Sequence, residues 1–305
     1  MTGNQKGIVL IAVLWVCSLI MWFALQIGSE TRMKGEEEVV EIRRSQALHL
    51  AIGGAYEALA RMGQPLPSGL ESGFKKTARG KNLLRRDSPE ENWQPDGTGH
   101  VVEYLTGEVL VLIEPEGRKV NVNKANHEQL KTVFERAGLT EDMAEQLADT
   151  TADFIDSDDL PRLHGAEKDH YRRLGLPYPP FNGPLLSLDQ MLLIPGITQD
   201  LFFAYGPRGE VEDSNEIQPP PILGLPGNDS LFQMLTVYGT NTTLLNTEIE
   251  EDIRAKVDTW RPGEIYRILS CGKAFTGPPP VVLWLIVRFQ PQARYGYEIL
   301  YRKIL

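Results

Sequence analysis

The spacing of apolar residues changes along this chain, and each change marks a different kind of element. Between Ile8 and Ser29 no charged residue interrupts the run "IVLIAVLWVCSLIMWFALQIG". A secretory apolar core is only about 7–15 residues long, whereas about 20 cross a bilayer, so the run reads as a spanning helix. Lys6 is the only basic side chain before it, which places the amino end in the cytoplasm and the bulk of the chain on the far side. On the other flank Arg32, Lys34, Arg43 and Arg44 are interleaved with Glu36, Glu37, Glu38 and Glu41.

Ala47, Leu48, Ala51, Ile52, Ala55, Tyr56, Leu59 and Met62 then recur at spacings of three and four, one face of an amphipathic helix with no proline before Pro65. The two stretches can form one rod from Ile8 to Arg61, on the order of 80 Å long at 1.5 Å per residue. Residues 63–99 are rich in Gly, Pro, Ser and charge and read as loop, with a short helix as the alternative. Strand-like runs follow at Val101–Leu105, Glu108–Glu114 and Lys119–Val122, with hairpin signals at Thr106-Gly107 and Glu116-Gly117. Tyr266–Cys271, Val281–Phe289 and Tyr297–Leu305 are strand-like again.

Between the two strand groups the period is helical. Leu130, Val133, Phe134 and Ala137, then Ala144, Leu147, Ala148, Phe154 and Ile155, predict an αα-hairpin. Asn126 with Gln129 forms a capping box, and Gly138 followed by Thr140 supplies a stop and a new cap. A further helix is expected at Leu188–Ile194, capped by Ser187 and ended by Pro195-Gly196.

Composition narrows the function. Lys plus Arg number 31 against 41 Asp plus Glu, a formal charge of -10, and such a surface repels nucleic acid. Cys17 lies in the spanning run and Cys271 near the end, so no intramolecular disulfide is expected. The turn "LLIPGI" has the form of a phosphate-binding hairpin, but its surroundings are acidic. His49, His100, His127, His164 and His170 have no metalloprotease spacing, and neither a nucleophile elbow nor a P-loop is present. The chain is not expected to be an enzyme.

The acidic segment holds Asp153, Asp156, Asp158, Asp159, Glu167 and Asp169 within seventeen positions. Carboxylates at that density suit a hard cation such as Ca²⁺, although the spacing is not that of an EF-hand. The competing reading is a solvated acidic loop compensated by Arg162, Arg172 and Arg173.

A short polar leader, Gly7 and an apolar helix opening at Ile8 resemble the precursors of type IV pilins and pseudopilins. That resemblance implies cleavage between Gly7 and Ile8 and methylation of the new terminus. Most pilins carry glutamate at the fifth mature position; here Ala12 stands there, as suits a subunit with no neighbour above it. With "VNVNKA" and "DFIDSDDLPRLHGAEKDHYRRLGLPYPPFNGPLLSLDQMLLIPGI", the chain is similar to the protein K family of type II secretion. Its expected second helical half is reduced here to "NTTLLNTEIEEDI".

The resemblance implies an α+β, pilin-like fold, a long N-terminal transmembrane and amphipathic helix on an antiparallel sheet, with an inserted all-helical domain. The expected division is a leader at 1–7, a transmembrane part at 8–29, pilin-like parts at 30–123 and 236–305, and the helical insertion at 124–235. It implies structural calcium in the insertion, through the six acidic residues named above. It also implies an inner-membrane protein with a periplasmic body that caps the pseudopilus and helps to start its assembly. Expected partners are I- and J-type minor pseudopilins, the major pseudopilin, the prepilin peptidase and the inner membrane, with no nucleic acid. The alternatives are a tip minor pilin of a type IV pilus and a single-pass calcium-binding periplasmic adaptor.

Overall fold

The computed structural model describes residues 5–62, 84–86, 93–203, 229–244, 260–275 and 280–305, without side-chain detail for 5–12, 27–36 and 84–86. Helix α1, Gln5–Arg61, is one uninterrupted rod of 57 residues. Among the described residues no helix is long and apolar enough to cross a membrane. The expected span at 8–29 lies only partly among the described side chains.

The main sheet is built from β1 (Leu84–Arg86), β2 (Gly99–Tyr104), β3 (Gly107–Pro115), β6 (Ile265–Ala274), β7 (Val281–Phe289) and β8 (Tyr297–Ile304), in the order β1-β2-β3-β6-β7-β8. The β1–β2 pair is parallel and the others are antiparallel. The expected β2–β3 hairpin forms with Leu105 and Thr106 as its loop, since Tyr104 pairs with Gly107.

Side-chain alternation gives the sheet two dry faces. Val109, Val111 and Ile113 of β3, Tyr266 and Ile268 of β6, and Leu283, Leu285 and Val287 of β7 pack with Leu50, Ala51, Ala55, Ala58 and Leu59 of α1. Leu110, Leu269, Cys271, Val282, Trp284 and Ile286 point the other way into the helical module. The unbroken apolar run of β7 is therefore that of a strand covered on both sides, whereas alternation would mark a strand with one wet face.

The sheet-facing stripe of α1 is rotated from the expected one. Ala47, Leu50, Ala51, Ala55, Ala58 and Leu59 are buried, while Tyr56 is exposed. Small residues decide this: Gly54 lies against Val109, Val111 and Ser270, and Gly272 of β6 leaves room for the backbone at Ala47 and Ala51. Close approach at this crossing excludes a bulky ring. Gly272→Val is accordingly expected to lift α1 from the sheet and cost about 1–3 kcal/mol by overpacking, measurable as a lowered urea midpoint.

Strand β4, Val120–Asn121, departs from expectation. The chain turns through a 3-10 helix at Glu116–Arg118, and β4 leaves the main sheet to pair in parallel with β5, Leu235–Thr236. The residues read as a polar hairpin turn are instead an internal anchor. Glu116 and Arg267 are both buried, with Nε to Oε2 and Nη2 to Oε1 each at 2.7 Å. Arg267 also donates to the carbonyls of Phe232 and Leu235 and lies 4.3 Å from the centre of the Phe232 ring. Lys119 donates to Glu114 Oε2 at 2.9 Å and to the Gln233 carbonyl at 2.8 Å, and its ammonium pKa is lowered by burial, then by Arg267.

The module comprises α2 (His127–Arg136), α3 (Glu141–Ile155), α4 (Lys168–Arg173), a 3-10 turn at Leu188–Leu193, α5 (Gln199–Phe203) and α6 (Leu231–Met234). The expected helix at Leu188–Ile194 is thus a 3-10 turn, opened by a Ser187–Gln190 capping box. The Asn126–Gln129 box caps α2, and Gly138 takes φ +88 in the turn to α3. Thr140 precedes α3 without a side-chain cap. In "VNVN", Asn121 Nδ2 donates to the Gly239 carbonyl at 3.0 Å. Asn123 makes a two-way clamp with the Leu185 backbone, at 2.9 and 2.8 Å. These amides tie the entry of the module to its far segments. Most of "NTTLLNTEIEEDI" lies outside the described residues.

Candidate metal centre

Three short segments meet at the C-terminal end of α3. Asp153 lies on the last turn of α3, and Asp156 is its C-cap residue. Asp158 and Asp159 follow in the loop, and Glu167 is the N-cap residue of α4. Ligand oxygens of Asp156, Asp158 and Glu167 all lie within 4.8 Å of one another.

The remaining predicted residues occupy different places. Asp153 is completely buried and anchors the loop, accepting from the Arg162 N–H at 3.2 Å and facing Arg162 Nε at 3.3 Å. Gly165 is required beside it, because a Cβ there would collide with the Asp153 carboxylate. Asp159 Oδ1 accepts from Asn182 Nδ2 at 3.0 Å. Asp169 stands apart on the exposed side of α4, paired with Arg172 at 2.8 Å. Arg162 also reaches Asp156 Oδ2 at 3.3 Å, so the expected arginine compensation is partial.

Glu167 is the unusual member. It is only 7% exposed, and neither carboxylate oxygen has a hydrogen-bond partner; the Lys168 amide lies nearby but off hydrogen-bond geometry. Asp156 Oδ1 is likewise buried and unpaired. Burial, then the negative charges of Asp153, Asp156 and Asp159, push the Glu167 carboxyl up to about 7. Asp153 is raised too, mainly by burial and against the pull of the Arg162 amide. Buried carboxylate oxygens without donors are costly, and a bound cation is a standard way to satisfy them. The donor set is all oxygen, which fits a hard cation and does not fit a thiophilic one.

Aromatic packing forms the wall of the site. Tyr171 is 1% exposed and stacks on Phe154 at 6.4 Å, and its phenol pKa is raised by burial, then by Tyr178, Glu167 and Asp153. Sequence reasoning did not single out Asn182 or the anchoring role of Arg162; the Asn-Gly pair at 182–183 was the available signal. The "LLIPGI" turn serves packing: Gly196 takes φ +94 and meets Leu147 of α3.

Comparison with known proteins covers both module and sheet. The family model described as Type II secretion system (T2SS), protein K matches residues 108–208, from the start of β3 to just past α5. The Type II secretion system protein K of Pectobacterium carotovorum subsp. carotovorum is 26% identical over 217 residues, 66% of this chain and 61% of that protein. The match thus spans less than two thirds of the relative's length. A chain in the crystal structure of the GspK-GspI-GspJ complex from the enterotoxigenic Escherichia coli type 2 secretion system aligns with a TM-score of 0.44 and 12% identity, covering 90% of this chain and 99% of that one. The family that the acidic loop and its flanking motifs resemble in sequence is thus the family that residues 108–208 match: protein K of the type II secretion system.

Proposed function

We propose that this chain is a minor pseudopilin of type II secretion that caps the periplasmic pseudopilus and helps to start its assembly. The match of residues 108–208 to protein K carries this reading. Two features support it. Helix α1 is far longer than the stretch that packs on the chain's own sheet, leaving most of the rod for other contacts. The helical module covers the sheet face opposite α1 and adds bulk that a stacked subunit would have to cover. In this reading residues 8–29 span the inner membrane, 30–123 and 236–305 form the pilin-like body, and 124–235 are the insertion. I- and J-type minor pseudopilins are the immediate partners. Co-purification of the full-length chain with the small pseudopilins of its host tests the assignment, and a chain that associates with none of them overturns it.

Processing gives a second test. The peptidase that cleaves after Gly7 would leave Ile8 as a methylated terminus and Ala12 at the fifth position. Gly7→Leu is expected to retain the leader and hold the protein in the membrane, because a charged leader resists extraction into a filament. Mass spectrometry reads the terminus directly, and a wild-type protein that still begins at Met1 removes the pseudopilin reading.

The acidic site is read as a structural calcium site, with Asp156, Asp158 and Glu167 as the central ligands and Asp153 and Asp159 beside them. The buried, unpaired oxygens of Glu167 support it. Bound calcium would supply positive charge that cross-links the end of α3 to the start of α4; Asp153 and Arg162 hold the intervening loop in place.

A further inference from the structure

Strand β8 ends the main sheet, and among the described residues no strand pairs with its outer side. Directly paired residues of antiparallel strands share a face. Tyr297, Ile299, Arg302 and Ile304 pair with Phe289, Val287, Leu285 and Leu283, all of the cluster under α1, so they lie on the α1 side of β8. Leu300, Tyr301 and Lys303 turn to the module instead, the last two onto Asp189. Yet α1 does not cover this strip: Ile299 and Ile304 are 47% and 48% exposed. Beside it, half-buried Leu48 and Ile52 and exposed Tyr56 form one line on α1 at helical spacing. The Tyr297 phenol pKa is raised by burial, then by Tyr56 and Tyr295, so the two lines are neighbours at that end. Leu48, Ile52 and Tyr56 are the apolar positions that the helical period predicts beyond those the sheet buries.

An open strand edge presents a row of backbone donors and acceptors, which proteins commonly blunt with bulges and charge. The register shift at Leu300 leaves residues 301–304 as a regular stretch. Arg302 stands in it, exposed, and its guanidinium has no ion-pair or hydrogen-bond partner among the described residues. An unpaired cation between two half-exposed isoleucines calls for a carboxylate flanked by apolar groups. A second copy of the chain fits neither way. Gly107 lies beside Leu50, and Gly54 against Val109 and Val111, so α1 runs along β3 and opposite to β8. Antiparallel pairing of two β8 strands would reverse one α1, and on the anchored reading above two opposed rods cannot share a membrane. Parallel pairing would turn the second copy over and set its helical module on the α1 side. We propose that the outer edge of β8 takes up an extended segment of a different protein, with a carboxylate opposite Arg302 and apolar side chains at the alternate positions facing α1.

The test uses the full-length chain in detergent and two labelled peptides, Thr-Val-Thr-Glu-Thr-Val-Thr and its Lys counterpart, which offer Val, a charge and Val to one face of a strand. Fluorescence anisotropy should show the wild type preferring the Glu peptide, against the sign of its own formal charge of -10. Arg302→Glu should weaken binding of that peptide about 5- to 30-fold and reverse the preference. Amide hydrogen exchange at residues 301–304 should slow when the Glu peptide binds. Equal binding of the two peptides, no binding at millimolar concentration, or an unchanged preference in the variant overturns the proposal. Slowed exchange in α1 without β8 marks a docked helix, and a dimer that protects β8 marks a second copy; either overturns it too. Should the variant fail to fold, wild-type exchange with each peptide still decides. A peptide that does not bind leaves the pseudopilin reading untouched, because that reading is tested at the mature terminus.

Discussion

Replacing Glu116 with alanine is expected to destabilise the chain by about 3–5 kcal/mol, because it leaves the Arg267 guanidinium charged at a position closed to solvent and without its carboxylate. The pair sits where the sheet meets the module. Glu116 follows β3, Arg267 lies on β6, and the carbonyls of Phe232 and Leu235 belong to the segment that returns from the module. Losing one charge should therefore loosen the module before the α1 face of the sheet. Hydrogen exchange would read this as early loss of protection in α6 and β5, and urea unfolding would give the size of the loss. The double replacement Glu116→Leu with Arg267→Met should recover most of that loss, since paired removal of a buried ion pair is often neutral. Recovery should stop short of complete, because two backbone carbonyls lose their donor. A single substitution costing under about 1 kcal/mol would show that the pair is hydrated in solution.

Calcium is expected to raise the stability of the helical module by about 2.7 kcal/mol when free ion is a hundred times the dissociation constant. The effect should depend on pH with a definite sign. The folded Glu167 carboxyl is pushed up to about 7 from the ordinary 4.5, so between those values the folded state holds a proton that the unfolded chain has released. Without calcium, stability is therefore highest at the acid end of this window and falls as pH rises toward about 7. With calcium the trend reverses, because the ion competes with that proton and binds fully only above about 7. Melting curves at pH 5 and pH 8, each with calcium and with chelator, check both signs. Asp156→Asn with Asp158→Asn should abolish most of the calcium effect. If the acidic cluster is only a solvated loop, the same double change would relieve repulsion and stabilise the module slightly, with calcium making no difference.

Much of this architecture can be read locally. The αα-hairpin follows from apolar spacing and from the Asn126–Gln129 box, which satisfies helix-end donors with neighbours three residues away. Strands β2, β3, β6, β7 and β8 lie close to where alternation or continuous apolar runs place them. Clustering of the acidic residues is also visible, because Asp153 to Asp159 fall within two turns of chain.

The amino-acid order alone thus specifies most of the elements and their succession, since propensity, capping and hydrophobic period act over a few residues, while the helix expected at Leu188–Ile194 tightens to a 3-10 turn and a short strand, β1, forms within the expected loop. Partnership across long separations was decided only by the fold. Glu116-Gly117 has the composition of an exposed turn, yet Glu116 is buried because Arg267 lies opposite it, 151 positions away. The expected α1 face misplaced Tyr56 because Gly54 and Gly272 set how closely helix and sheet approach. Six acidic residues looked equivalent along the chain. Tertiary structure separated them, drawing Asp156, Asp158 and Glu167 together, giving Asp153 to Arg162 and leaving Asp169 on the surface. Periodicity reports which side of an element avoids water, but the identity of the group waiting on that side is a property of the packed chain.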